Sequence, residues 1–349
     1  MPTDDRATWQ LHALAVSHPQ YEELVVRSLG NTKSFEIVRS RIKLLTLAET
    51  LQIPTPGTVP LRSLKEAARY ANSWSYPTLV KRDGTSGGRG VAVVRTPKEL
   101  LDAYHELGRN ASVLVSLKRR LIDGDCLAFL RPSSLPPQEI SLQSFVAGTP
   151  ANAMYSCFKG KLLATLQVRT VCAQHTTGAA LIVERINDPR IEDAGRKLAQ
   201  TLSLSGFFGL DFLVENGSGC PYLLEMNPRA TQLGHLPLEN PGDGGSLAEA
   251  VWLAWTGSVA PQPPTYAAPA KLPQRVAFYP QALVLGQNNS LLTSAWLDRP
   301  DEEPDLVREL SHMGWPERRL LYRLFHQFYS VPPDEPVVFL DSKSDANVC

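Results

Sequence analysis

The sequence predicts an α+β protein with more than one lobe, and three observations support this prediction. At 349 residues, the chain is too long for one small core. Between residues 140 and 184, short apolar runs separated by turn residues have the pattern of an antiparallel meander. Helical patterns alternate with such runs elsewhere, for example at 193–202.

The composition is that of a soluble globular protein and excludes several functional classes. Lys plus Arg and Asp plus Glu number 35 each, so no overall charge attracts nucleic acid or an anionic membrane. No apolar run approaches the roughly 20 residues needed for a membrane span, and the N-terminus is polar rather than signal-like. We therefore expect a cytoplasmic protein with neither a nucleic-acid partner nor a membrane span.

The first part of the chain predicts one long helix followed by two strands. The helix begins near Ser34, has apolar residues at Val38, Ile42, Leu45 and Ala48, and ends before the prolines at 54 and 56. The strands are predicted at 76–81 and 91–94, and a helix follows from Pro97 to about residue 107. A short strand is expected at 113–115, and the basic run at 118–120 has no assigned function.

A glycine-rich loop separates the two predicted strands. Lys81 ends the first strand, and the loop from Gly84 to Gly90 contains four glycines and Ser86. Such a loop is either a flexible turn or a set of amides that close over phosphates, and the preceding lysine favours phosphate. The order of residues is not that of a Walker loop.

The segment 222–229 is an apolar strand that presents polar groups at alternate positions. Glu225, Asn227 and Arg229 are expected on one face, with Leu224, Met226 and Pro228 on the other. One interpretation is a half-buried strand with a polar outer face and no function. The other is a Mg²⁺ site, since Mg²⁺ prefers oxygen ligands. Asp211, in the strand predicted across a turn at 216–219, would add a third ligand.

Six segments in this order resemble the ATP-grasp superfamily, over residues 41–236. Each segment is common alone, but the set and its spacing are specific. The segments are Ile-Pro-Thr-Pro at 53–56, Tyr-Pro-Thr-Leu-Val-Lys at 76–81, Gly-Thr-Ser-Gly-Gly-Arg-Gly at 84–90, Leu-Gln-Ser-Phe-Val-Ala-Gly at 142–148, Gly-Leu-Asp-Phe at 209–212 and Leu-Leu-Glu-Met-Asn-Pro-Arg at 223–229.

The resemblance implies two α/β lobes that clamp ATP, with a role for each matching segment. Phosphate would be held by basic side chains and loop amides, namely Arg41, Lys81, Gly84, Ser86, Gly87, Gly88 and Gly90. Backbone groups would hold adenine at Gln143, Ser144, Phe145 and Val146. Mg²⁺ or Mn²⁺ would be bound by Asp211, Glu225 and Asn227, and Arg229 would stabilise charge during catalysis. Arg39 and Lys43 lie close enough to exchange roles with Arg41.

The resemblance also implies a division of the chain into regions. Residues 1–32 would be the remnant of an N-terminal domain that precedes the ATP clamp in this superfamily, which makes the N-terminus truncated. The helical linker would be 33–75, the small lobe with an insertion 76–142, and the large lobe with the metal site 143–258. A proline-rich linker and a family-specific extension would occupy 259–349.

The implied activity is ATP-dependent ligation of a carboxylate to an amine through an acyl phosphate. The expected partners are ATP and small-molecule carboxylate and amine substrates, and a homodimer is left open. Two alternatives remain: a kinase that phosphorylates a small molecule, and a nucleotide-binding module without turnover.

Several other residues are weaker candidates. His175 and His235 lie in loops that could face a substrate, although an ordinary loop histidine is the commoner case. Arg169 could bind a substrate carboxylate or be an exposed strand residue. The amphipathic pattern at 317–329 favours packing on the protein over binding to a membrane surface.

Overall fold

The computed structural model describes residues 2–84, 90–108, 139–238, 245–257, 273–312 and 335–339. Within these ranges the chain forms a four-stranded sheet, an eight-stranded sheet and helices that pack on both. The predicted α+β class is confirmed. None of the helices in these ranges has the length and apolar character that a membrane span requires.

The helices and strands are numbered in chain order. The helices are α1 (Asp5–Ser17), α2 (Glu22–Leu29), α3 (Phe35–Arg39), α4 (Arg41–Thr50), α5 (Leu64–Ala71), α6 (Pro97–Gly108), α7 (Pro189–Leu202), α8 (Leu247–Thr256), α9 (Ser290–Thr293) and α10 (Pro304–Ser311). The strands are β1 (Thr58–Pro60), β2 (Thr78–Arg82), β3 (Val91–Val94), β4 (Ile140–Ser144), β5 (Gly148–Phe158), β6 (Lys161–Ala173), β7 (Ala180–Arg185), β8 (Gly206–Glu215), β9 (Pro221–Asn227), β10 (Arg275–Phe278), β11 (Trp296–Asp298) and β12 (Val337–Val338).

The small sheet is antiparallel, with strand order β1-β4-β2-β3. Val80 of β2 and Leu142 of β4 are fully buried in a core with side chains of α5 and α6. Because side chains alternate along a strand, Leu79 and Lys81 face away from these helices. The sequence pattern assigned β4 to the meander, and this assignment is wrong, since β4 pairs with β1 and β2.

The large sheet has strand order β11-β10-β7-β6-β5-β8-β9, and β12 pairs with β6. The meander from β5 to β7 and the hairpin of β8 and β9 are confirmed. Beyond this hairpin, β10 pairs with β7, and the parallel strand β11 pairs with β10. The C-terminal part of the chain therefore extends the sheet at the edge opposite to β9.

The two faces of the large sheet have different environments. One face packs against α4 and α7 through a core that includes Tyr155, Phe208 and Leu198. The Tyr155 and Phe208 rings stack at 4.8 Å, and the Tyr155 hydroxyl donates to the Ile191 carbonyl at 2.7 Å. The other face forms the floor of a cleft between the two sheets.

The helix predicted from Ser34 is interrupted, and this correction affects the candidate site. Ser40 has extended backbone angles, φ −115° and ψ 117°, so that α3 ends at Arg39 and α4 begins at Arg41. The Ser40 hydroxyl donates to Glu139 at 2.9 Å and accepts from the Lys43 amide at 3.3 Å. Arg41 is therefore the first residue of a capped helix and not a mid-helix residue.

The contact between α7 and β5 generates a stability prediction. A methyl group at Gly195 would lie 2.1 Å from the ring of the fully buried Tyr155. We expect Gly195→Ala to lower the free energy of unfolding by about 1–3 kcal/mol, because overpacking outweighs the better helix propensity of alanine. Urea unfolding measures this change. Gln200→Ala, at an exposed position of the same helix, is the control and should change little, whereas a Gly195→Ala protein as stable as the wild type would contradict the packing argument.

Candidate functional site

The cleft between the two sheets encloses about 500 Å³, which is within the usual range for small-molecule sites. The small sheet contributes β2, β3 and the end of β4, and the large sheet contributes the exposed face of β5 to β9. Most of the predicted site residues within the described ranges lie on its walls. Ser86, Gly87 and Gly88 lie outside the described residues, while Gly84 and Gly90 flank that segment.

Lys81 lies on the small-sheet wall of the cleft. Because side chains alternate along β2, Lys81 shares this face of the strand with Leu79. Its side chain is largely buried. Burial lowers the pKa of Lys81 to about 8, and the Arg41 charge acts in the same direction, against the opposing effect of Glu225 and Asp211. A buried ammonium that is poorly compensated by its surroundings favours an anionic ligand.

Asp211 of β8 and Glu225 of β9 are paired across the two strands. Two residues further along, Asn227 pairs with Gly209. All three side chains line the cleft. The predicted grouping of these three residues therefore agrees with the geometry.

A bulge in β9 corrects the predicted faces of the 222–229 segment. Phe212 pairs with Leu223 while the preceding Asp211 pairs with Glu225, so Leu224 is an extra residue. Leu223 is buried in the core, whereas Leu224 lines the cleft beside Glu225. The expectation that Leu224 lies on the opposite face from Glu225 is wrong, because the bulge places both side chains on the cleft side.

Asn152 of β5 is a site residue that sequence reasoning missed. Its amide donates to one Asp211 oxygen at 2.6 Å, and the Asn227 amide donates to the other at 3.1 Å. Burial raises the pKa of Asp211 to about 7, and the Glu225 carboxylate adds to this effect. The available signal was an asparagine in an apolar strand, but its partner depends on the pairing of β5 with β8.

Arg41 connects the two lobes behind the cleft. Its guanidinium lies 2.5 Å from Glu225 of the large sheet and 3.1 Å from Asp83, which follows β2. Burial opposes the charge of Arg41, but Glu225 and Asp83 together outweigh it and raise its pKa. Arg41 and Lys81 likewise outweigh burial at Glu225 and lower the pKa of that carboxyl. Asp83 was not predicted, and the role of Arg41 towards phosphate stays a prediction.

The structure separates Arg41 from the two basic residues that could have exchanged with it. Lys43 forms an ion pair with Glu36 on the outer side of α4. Arg39 precedes the break at Ser40, and it has buried guanidinium nitrogens without a hydrogen-bond partner among the described residues. Among the three, Arg41 is the one that contacts Glu225.

Arg229 lines the cleft next to Asn227 and contacts the N-terminal helix. Its Nε donates to Asp5 at 2.8 Å, and a terminal nitrogen donates to the Asn227 oxygen at 3.1 Å. Two further hydrogen bonds hold the N-terminal segment beside Arg229: the Ala230 amide donates to the Pro2 carbonyl at 3.1 Å, and the Thr8 hydroxyl donates to the Pro228 carbonyl at 3.3 Å. Asp5 is therefore a cleft residue that sequence reasoning missed.

The segment 143–146 lines the cleft, and its backbone contacts to adenine stay a prediction. The Gln143 carbonyl accepts a hydrogen bond from the Thr78 hydroxyl at 2.6 Å, and the Ser144 amide donates to the Gly57 carbonyl at 2.8 Å. Both backbone groups therefore make hydrogen bonds within the protein. Phe145 and Val146 follow the end of β4. The Gln143 side-chain amide donates to Thr58 at 2.9 Å, while its buried oxygen has no hydrogen-bond partner among the described residues.

The weaker candidates Arg169, His175 and His235 are not among the residues that line the cleft, although Thr176 and Thr177 beside His175 are. Arg169 donates to Glu184 at 2.6 Å across β6 and β7. His235 contacts Asp298 of β11 at 2.6 Å, and His175 contacts Thr177 at 3.4 Å. The segment 317–329 and the predicted strand at 113–115 lie outside the described residues.

The donor atoms of the site fit a magnesium nucleotide. Across the described residues, no group of three or more His, Cys, Asp or Glu side chains could hold a metal. The cleft instead offers two carboxylates and one amide oxygen, and Mg²⁺ is usually bound by one or two carboxylates together with substrate phosphates and water. Lys81 on the opposite wall and the orphaned Gln143 oxygen fit the phosphate and base ends of a nucleotide.

Residues 40–127 match the family model described as the ATP-binding domain of the carbamoyl-phosphate synthase large chain. The carbamoyl phosphate synthase large chain of Thermus thermophilus is 27% identical over 261 residues, covering 71% of this chain and 23% of that protein. Pyruvate carboxylase of Pichia angusta is 26% identical, covering 56% of this chain and 16% of that protein. The chain thus spans less than a quarter of the length of these relatives.

A solved structure shares the fold. It is the N5-carboxyaminoimidazole synthase of Aspergillus clavatus, in complex with ADP and 5-aminoimidazole ribonucleotide, and it superimposes with a TM-score of 0.50 at 13% identity. The match covers 71% of this chain and 58% of that one. The family match over residues 40–127, these relatives and the shared fold agree with the ATP-grasp resemblance found in the sequence.

Proposed function

We propose that this protein is an ATP-dependent ligase that joins a carboxylate to an amine or similar nucleophile. One observation supports the proposal above the others: Asp211, Glu225 and Asn227 face Lys81 across a cleft whose far end is formed by residues 143–146. This arrangement offers separate contacts for metal, phosphate and base, in that spatial order. The related proteins are ATP-dependent ligases, which agrees with this chemistry.

The reaction has two balanced steps. A carboxylate oxygen of the first substrate attacks the γ-phosphorus of ATP. The bond between this phosphorus and the β–γ bridging oxygen breaks, which releases ADP and forms an acyl phosphate. The amine then attacks the acyl carbon, phosphate leaves, and the nitrogen loses a proton. Most of the protein's contribution to such transfers is positioning and charge stabilisation rather than covalent chemistry.

Several cleft residues have a part in this scheme. Lys81 binds phosphate oxygens, and Arg229, held by Asp5 and Asn227, stabilises negative charge at the point of transfer. Phe145 and Val146 supply backbone contacts to the adenine, and Leu79, Leu213 and Leu224 enclose its ring. When bound by Asp211, Glu225 and the Asn227 oxygen, Mg²⁺ or Mn²⁺ supplies a positive charge that withdraws electron density from the phosphoryl group.

The experiment that tests this function measures ADP and phosphate together. Purified protein with Mg²⁺ and ATP is incubated with panels of carboxylates and amines, singly and in pairs. A ligase releases ADP and phosphate when both substrates are present. A stable phosphorylated product made with one substrate would instead identify a kinase, and ATP binding without ADP release would identify a nucleotide-binding module.

Removal of Glu225 should abolish turnover. We expect Glu225→Ala to lower kcat by about 100-fold or more, because one of two carboxylates for the metal is lost. Steady-state ADP release checks the rate, and circular dichroism checks that the fold is kept. The matched control is Glu192→Ala, which removes an exposed carboxylate of α7 and should leave kcat unchanged. Normal turnover in the Glu225→Ala protein would refute the metal assignment.

The lowered pKa of Lys81 predicts how ATP affinity depends on pH. In the nucleotide-free protein Lys81 loses its proton as the pH rises through about 8, whereas bound phosphates favour the charged form. ATP binding must then take up a proton above pH 8, so affinity falls by up to about tenfold per pH unit.

Calorimetric titration of ATP between pH 7 and 9, without divalent cations, measures this dependence. Lys81→Arg is the matched variant, since arginine stays charged throughout this range, and its ATP affinity should vary little with pH. Equal pH dependence in the two proteins would show that Lys81 does not contact the phosphates.

A further inference from the structure

Helix α1 contacts both lobes and contributes to the wall of the cleft. Its Asp5 side chain lines the cleft and accepts a hydrogen bond from Arg229 Nε of the large lobe at 2.8 Å. One helical turn later, the Trp9 ring lies beside Gly84, where an added methyl group would be 3.7 Å from the ring. Gly84 follows β2 and begins the loop that is predicted to bind phosphates. Asp5 therefore lies at the end of the cleft where phosphates are expected.

Hydrogen bonds on both sides of Arg229 in the sequence fix the position of Asp5. The buried Thr8 donates its hydroxyl to the Pro228 carbonyl at 3.3 Å, and the Pro2 carbonyl accepts from the Ala230 amide at 3.1 Å. The position of α1 beside Arg229 thus does not depend on the Asp5–Arg229 ion pair alone.

Five charged side chains line the described part of the cleft, and four of them have a direct part in the proposed function. Lys81 and Arg229 are assigned to phosphate and to the transferred charge, and Asp211 and Glu225 to the metal. Asp5 is the fifth. Its side chain is 30% exposed, and its second carboxylate oxygen has no hydrogen-bond partner among the described residues. A carboxylate open to the cleft at this point repels an anionic ligand and attracts a cation.

Nucleotide binding changes the electrostatic environment of Asp5. In the nucleotide-free protein, Arg229 compensates the Asp5 charge. A phosphoryl group at Arg229 competes for the same guanidinium, so that Asp5 loses part of this compensation. A cation beside the open oxygen of Asp5 restores the charge balance.

From this arrangement we infer that the second substrate is an amine that binds to Asp5 as its ammonium ion, after the nucleotide. The inference rests on the proposed function, and it specifies the class of the second substrate and the order of binding. An ammonium group has three donors, and a hydrogen bond from one of them to the open Asp5 oxygen is charge-assisted. Asp5 acts in binding only, and the ammonium loses a proton to water before its nitrogen attacks the acyl carbon.

The experiment compares a cation with an uncharged molecule of nearly the same length. Butylamine is protonated at pH 7.5, whereas 1-butanol is uncharged. Binding of each to the full chain is measured by calorimetry with Mg²⁺, in the presence and absence of the non-hydrolysable β,γ-imido analogue of ATP. We expect butylammonium to bind at least about fivefold more tightly than butanol, and at least about fivefold more tightly with the analogue than without it. Equal binding of the two probes, or cation binding that the analogue does not strengthen, would overturn the inference.

Variants of two exposed carboxylates assign the effect to Asp5. Asp5→Asn keeps an oxygen for Arg229 but removes the charge, so the preference for butylammonium should be lost while butanol binding is unchanged. Glu23→Gln, at an exposed position of α2, is the control and should bind both probes as the wild type does. A cation that contacts only the bound phosphates would keep its affinity in the Asp5→Asn protein, and this result would refute the role of Asp5.

Removal of the Arg229 charge tests the order of binding. In an Arg229→Gln protein, Asp5 has lost its compensating charge even without a nucleotide. Butylammonium should then bind the nucleotide-free variant at least about fivefold more tightly than the nucleotide-free wild type. Equal affinity in these two nucleotide-free proteins contradicts the compensation of Asp5 by Arg229.

Binding and turnover separate this inference from the proposed function. Asp5-dependent binding of butylammonium without ADP release for any acid and amine supports the amine site and contradicts the ligase. ADP release by an acid and an amine, with a KM for the amine that Asp5→Asn does not change, supports the ligase and contradicts the amine site.

Discussion

The buried Arg41 guanidinium, between Glu225 and Asp83, is the interaction on which the site depends most. It lies at the start of α4, Glu225 belongs to the large sheet, and Asp83 follows the last strand residue of β2 in the small sheet. Burial of a cation is costly unless carboxylates compensate its charge, as Glu225 and Asp83 do for Arg41. The Arg41 ion pairs therefore link α4 to both sheets. The same contact keeps Glu225 ionised and directed into the site.

The cleft is completed by both ends of the described chain. The N-terminal helix contributes Asp5, which binds Arg229, and the strand at 337–338 positions Phe339. Residues 2–39 form helices and 3₁₀ turns that pack around Ala15, Val25, Leu29 and Phe35. The sequence resemblance treated the N-terminal region as a remnant and the C-terminal region as an extension of unknown role. In the structure, residues from both regions line the cleft between the two lobes.

Much of the fold could be predicted because the relevant signals are local. The hairpin of β8 and β9 has apolar runs around an Asn-Gly turn, and β2 and β3 flank glycines, so their positions follow from neighbouring residues. Features that depend on contacts between residues distant in sequence could not be predicted. The assignment of β4 to the small sheet depends on strand pairing, and the break at Ser40 depends on Glu139, which is distant in sequence. Asn152 and Asp83 were missed because their partners are apparent only in three dimensions.

The bulge at Leu224 has a consequence for how such sites tolerate change in chain length. In a regular strand, one inserted residue moves every later side chain to the opposite face. Here the extra residue is absorbed locally: Leu223 stays in the core, and Glu225 stays opposite Asp211. The insertion adds an apolar side chain to the cleft wall without moving Glu225 and Asn227, which follow it. The side chains that line the pocket can therefore vary while the position of these polar residues is kept within the same strand.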